Sequence, residues 1–83
     1  MRYLTLNIDK SNSIEIHNSF LGNETIFHNG KEVSKKWSLL GDKHEFSVIE
    51  SGEKTKYRVE IGLRFATGVS CNIYRNDEAI LLF

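Results

Sequence analysis

Polar and apolar residues alternate with period two along most of the chain. The longest run is 56–65, with Tyr57, Val59, Ile61, Leu63 and Phe65 on one side and Lys56, Arg58, Glu60 and Arg64 on the other. An amphipathic helix would bring apolar residues back every three or four positions, so this run is a strand. The same alternation predicts strands over 3–8, 13–17, 24–28, 32–37, 44–50, 69–75 and 79–83, eight in all. Polar turns separate them: Asp9-Lys10-Ser11-Asn12, Asn29-Gly30, Ser51-Gly52, Thr67-Gly68 and Asn76-Asp77, with a corner at Ser19-Phe20-Leu21-Gly22 and a break at Leu39-Leu40-Gly41-Asp42. Asn29-Gly30 is the clearest of these, because both residues tolerate the positive φ of a tight hairpin turn.

Many short antiparallel strands with polar turns predict an all-β fold, an antiparallel β-sandwich of about eight short strands in which two facing sheets cover the apolar stripes. Residues 1–83 read as a single domain, with no linker and no repeat of 20–50 residues. A chain of this size buries roughly 60–65% of its unfolded surface, so its stability margin is thin.

Charge narrows the function. Eleven basic residues balance eleven acidic ones. That balance argues against a nucleic-acid binder, which draws affinity from a basic excess. Lys31, Lys35 and Lys36 form one local basic patch. The single cysteine, Cys71, is in step with Val69 and Ile73 and reads as a small core residue. Met1 leads straight into polar sequence with no apolar signal-peptide core, and the longest apolar run, Ala79 to Phe83, is far short of a membrane span. These features predict a cytoplasmic chain without direct membrane insertion.

Gly30-Lys31-Glu32, Ser34-Lys35-Lys36-Trp37 and His44-x-Phe46-x-Val48, with weaker echoes in Gly52-Glu53-Lys54, Tyr57-x-Val59-x-Ile61 and Tyr74-Arg75-Asn76, resemble the β-sandwich domain of the Fas apoptotic inhibitory molecule family and its bacterial look-alikes. The resemblance implies a non-catalytic antiparallel sandwich, closer to the bacterial form, with no catalytic site to carry over.

The candidate chemistry is sparse. His17, His28 and His44 lie on separate strands without the paired spacing of metal ligands, so they read as isolated polar residues on sheet faces. Asp42 with His44, and Glu24 with His28, can be drawn as acid–base pairs, but no Gly-rich cradle or nucleophile elbow accompanies them. Neither a cofactor nor catalysis is expected. Trp37 reads first as a core residue at the sheet rim; Lys35, on the same face, points instead to a surface site. Trp37, Lys35, Phe27 and Tyr74 are the candidate binding residues. Ala79-Ile80-Leu81-Leu82-Phe83 is apolar on both faces, which predicts a strand buried on both sides or an edge that pairs with a second copy of the chain. The function expected is a non-enzymatic interaction module for a protein or peptide. A carbohydrate or small-ligand module and a small enzyme are the alternatives.

Overall fold

Three hairpin turns set the architecture. Asn29-Gly30 (φ 52° and 80°), Ser51-Gly52 (50° and 80°) and Asn76-Asp77 (50° and 66°) each place both central residues in the left-handed region. This is the turn whose twist matches the strands it joins. The computed structural model describes residues 2–18, 23–37, 41–64 and 68–82. Met1, the corner at 19–22, the residues 38–40 and 65–67, Phe83, and the side chains of Arg2, Tyr3, Asn18, Leu63, Arg64 and Val69 lie outside that description.

The described residues are all-β, and all eight expected strands are present: β1 (Arg2–Asn7), β2 (Ser13–Asn18), β3 (Asn23–His28), β4 (Lys31–Trp37), β5 (Lys43–Glu50), β6 (Glu53–Arg64), β7 (Gly68–Arg75) and β8 (Glu78–Leu82). They form two four-stranded antiparallel sheets, ordered β1-β2-β3-β4 and β5-β6-β7-β8, the strand inventory of a small β-sandwich. β6 begins three residues earlier than the alternation suggests. The tight Ser51-Gly52 turn lets the ladder run up to it, with Glu50 opposite Glu53.

Contacts divide the chain into two compact units, Met1–Leu39 and Leu40–Phe83, with one meander in each. The two meanders repeat the same local construction, although no repeat was legible in the residues. In the first, the Asn29 backbone N–H donates to the Ser13 carbonyl (3.0 Å), and its side-chain Oδ1 accepts the Ser13 N–H (2.8 Å). In the second, the Asn76 N–H donates to the Lys56 carbonyl (2.7 Å), and its Oδ1 accepts the Lys56 N–H (3.0 Å). Each turn therefore captures the strand two places back. The fourth strand then bulges at the same point. Ile26 pairs with Ser34 and Phe27 with Glu32, leaving Val33 as the extra residue; Ile73 pairs with Leu81 and Tyr74 with Ala79, leaving Ile80. The segments Ile26–Val33 and Ile73–Ile80 share an isoleucine at the start, an aromatic next to it and the turn asparagine. That match is too slight to stand out by sequence alone.

The alternation becomes burial. Ile14, Ile16 and Ile26 are buried in the first unit, and Tyr57, Val59, Ile61, Cys71 and Ile73 in the second, each large side chain contributing roughly 1.5–3 kcal/mol. Cys71 is buried and in no disulfide, as its phase implied. Phe46 stacks on Tyr57 with ring centroids 5.4 Å apart.

Gly41 lies where the chain enters β5. Its φ is +105°, and a Cβ there would stand 2.1 Å from the Ile61 carbonyl oxygen. Next to it, the Ile61 N–H donates to the Asp42 carbonyl (2.9 Å). Gly52 also has positive φ but open space around it. Gly41→Ala is expected to cost more than about 2 kcal/mol and Gly52→Ala only about 1, since the first adds a backbone clash to the strain both share. Urea unfolding of the two variants checks this; equal losses would mean that the close approach at Gly41 is absent.

Candidate functional site

The outer face of the first sheet is built by register. On β2, Glu15 and His17 point away from Ile14 and Ile16; on β3, Thr25 and Phe27 point away from Ile26 and His28. Cross-strand pairing sets Glu15 beside Phe27 and Glu32, His17 beside Thr25 and Lys35, and Asn23 beside Trp37. Trp37, Lys35 and Phe27 therefore share one face of one sheet. Trp37 is 61% exposed, which corrects the reading of it as a core residue at the rim. The bulge at Val33 shifts the strand's phase, and β4 is an end strand, so its last residue has sheet on one side only. Phe27 is half-buried, its ring meeting His17 edge-on at 4.8 Å, and His17 Nε2 lies 3.1 Å from Glu15 Oε2. Lys35 is exposed. The result is a sheet face with a wet indole, an ammonium group and a packed Phe–His pair.

Tyr74 is not part of this group. It lies on β7 in the second unit, half-buried, with the Arg58 guanidinium carbon 4.2 Å from its ring centroid. Arg58 also lies 3.2 Å from Glu60 and 3.7 Å from Asp77. One face of the Tyr74 ring is thus taken by the chain's own cation.

His28 and His44, expected as isolated polar residues on sheet faces, lie on the buried faces, and Glu24 is buried with them. His28 and Glu24 lie in the apolar phase of β3, and His44 shares the phase of Phe46 and Val48. Among the described residues, no three His, Cys, Asp or Glu side chains gather as metal ligands. Asp42 serves as a turn residue, its Oδ1 accepting the Lys43 N–H at 2.7 Å. A polar concavity lined by Asn7, Asp9, Ser11, Asn12 and Asn29 is held together by its own bonds: Asp9 accepts from the Ser11 N–H (2.8 Å) and from Asn12 Nδ2 (3.1 Å), and Asn29 Nδ2 donates to the Ser11 carbonyl (2.9 Å). It is turn chemistry.

One cluster was missed altogether. The Glu50 carboxylate is buried, accepting the Tyr57 hydroxyl at Oε2 and two donors of Arg75 at Oε1, Nε at 3.1 Å. A signal was there to read: Glu50 follows His44, Phe46 and Val48 in phase, Tyr57 precedes Val59, and Arg75 follows Cys71 and Ile73. Two charged groups and a hydroxyl in the apolar phase of three adjacent strands must meet a partner or pay desolvation. Burial, and then the bond to Glu50, push the Tyr57 hydroxyl well above the ordinary tyrosine range. The same carboxylate, chiefly through its hydrogen bonds, raises Arg75 and holds it charged. Both carboxylate oxygens are occupied by this chain's own donors, so the triad is a structural crosslink between β5, β6 and β7.

A tyrosine whose folded pKa is raised stabilises fully below its unfolded value, near pH 10, and that contribution is lost as pH climbs toward the folded value. The unfolding free energy is therefore expected to fall above about pH 10, by up to about 1.4 kcal/mol per pH unit for this one proton. Tyr57→Phe should lose about 1–3 kcal/mol at neutral pH and show a shallower alkaline slope. Urea unfolding from pH 8 to 12 tests both; parallel curves for the two proteins would exclude the buried hydrogen bond.

Trp37 is the sole tryptophan, so its emission reports this site alone. A red, water-exposed maximum that iodide quenches is expected; a blue, unquenched one would place the indole in the core.

No family model, curated protein or solved structure matches the chain.

Proposed function

We propose that this chain is a non-enzymatic interaction module that holds an extended segment of a partner protein along β4, with Trp37 as the anchor. The observation that carries this reading is the exposed indole on an end strand, next to Lys35 and on the same face as Phe27. An exposed tryptophan offers a large rigid contact at little entropic cost, and such residues dominate binding energy where they are found. β4 also bears Lys31, Lys35 and Lys36, all exposed, against the single acidic Glu32. Charge complementarity then favours a segment with acidic side chains flanking an apolar one. An extended peptide suits a sheet edge, because strand addition draws affinity from the backbone and specificity from alternate side chains. The resemblance to the Fas apoptotic inhibitory molecule family, whose shared residues include Lys35 and Trp37, supports a non-catalytic role.

The test is calorimetry of the full chain against a panel of extended peptides that pair one apolar residue with acidic, neutral or basic flanks. The acidic members should bind best. Trp37→Ala should weaken them by about 30-fold or more, the loss of a hot-spot side chain, while thermal stability stays within about 0.5 kcal/mol of the parent, as for an exposed position. Loss of the fold in Trp37→Ala, or binding that ignores both the substitution and the flanking charge, would remove the proposal. Preferential binding of an oligosaccharide through Trp37 would replace it with the carbohydrate reading.

A further inference from the structure

The repeat provides an internal comparison. β4 and β8 hold the same place in their sheets: each follows a left-handed turn that begins with asparagine, each bulges at its third residue, and each is an end strand. Their chemistry is opposite. β4 reads KEVSKKW, with lysines at three of seven positions, whereas β8 reads EAILL. Lysine on an edge strand discourages pairing with another chain, because burying its charge costs desolvation. β8 lacks that guard, and the fold does not require its absence, since the same strand position in the first unit is charged. Nor is β8 buried on both sides, one of the two readings its composition allowed: Ala79 is exposed, Ile80 and Leu81 are half-buried, and Leu82 is 67% exposed.

We infer that β8 is a self-association edge, pairing antiparallel with β8 of a second copy about a twofold axis. Charge chooses both the partner and the direction. The only charged residue of β8 is Glu78 at its start. In a parallel pair the two Glu78 side chains would lie side by side. In an antiparallel pair about the strand centre they sit at opposite ends, about 14 Å apart at roughly 3.4 Å per residue, beyond the screening length of about 8 Å. In such a pair Ile80 faces its own copy, Leu81 faces Ala79 of the second copy and Leu82 faces its Glu78, so the middle three positions are apolar on apolar. The ladder to β7 resumes at Leu81 after the bulge, so the outer edge of the last two residues is regular strand. The whole chain carries zero formal charge, and no net repulsion opposes two copies meeting. β5, at the other end of the sheet, also exposes a large apolar residue, Ile49 at 69%. Lys54 stands opposite it on β6, and the strand is mixed in sign, with Lys43 paired to Glu45 at 3.4 Å toward its other end.

Sedimentation equilibrium of the full chain up to about 0.5 mM, a range that reveals dissociation constants down to the weak micromolar–millimolar class, is the test. The wild-type chain should approach twice its 9.6 kDa mass. Leu82→Glu, at an exposed position that faces Glu78 of the second copy, sets like charges directly opposite each other and should raise the dissociation constant at least tenfold. Ile49→Lys should leave it unchanged. A wild-type chain that stays at monomer mass overturns the inference. So does a dimer that ignores Leu82→Glu, or one that Ile49→Lys disrupts instead. Peptide binding at Trp37 is a separate readout in the other unit, so either proposal can fail alone.

Discussion

Asn29 and Asn76 hold this fold in register. A β-strand shows alternate side chains to opposite faces, so a slip of one residue would exchange the buried isoleucines for the polar set beside them. The hairpin turns alone set the pairing of the two strands they join. The asparagine amides reach further, closing a two-way bond with the strand beyond, at Ser13 and at Lys56. Three strands are thereby locked by one turn. Asparagine suits the position twice over: it tolerates the left-handed backbone, and its short amide can accept from the neighbouring N–H.

Register in turn decides what the surface presents. With β2, β3 and β4 locked, Trp37, Lys35 and Phe27 share the outer face, while Ile26 and His28 share the other. The second meander uses the same device on different side chains. Its buried side carries the Glu50–Tyr57–Arg75 crosslink where the first has isoleucines and His28. Removing one partner of this link would leave a buried charge uncompensated. The two fourth strands, charged β4 and apolar β8, then differ in the one property that governs how an edge meets another molecule.

Strand existence was legible because alternation is a local property. All eight strands, the turns at Asn29-Gly30, Ser51-Gly52 and Asn76-Asp77, and the buried phase of Tyr57, Val59, Ile61, Cys71 and Ile73 could be read directly. What escaped depends on neighbours that lie far apart in the chain. The bulge at Val33 is invisible until β3 is paired, and it moves Trp37 out of the simple alternation with Val33. The burial of Glu50 follows from Tyr57 and Arg75 arriving from two other strands. Likewise the likeness of the two units lies in hydrogen bonds, and only the asparagine, an isoleucine and an aromatic record it in the residues. For the candidate site, the placing of Phe27 on the same face as Trp37 and Lys35, and the separation of Tyr74 on another sheet, needed the register.

The most direct test of the register lock is amide hydrogen exchange followed by NMR at Ser13 and Lys56, in the wild-type chain and in Asn29→Ala. Both amides should exchange slowly in the wild type. Asn29→Ala should speed Ser13 by about tenfold or more, the loss of roughly one hydrogen bond's protection, and leave Lys56, held by Asn76, unchanged. Fast exchange at Ser13 in the wild type, or no response to Asn29→Ala, would contradict the claim that the asparagine side chains fix which face each strand presents.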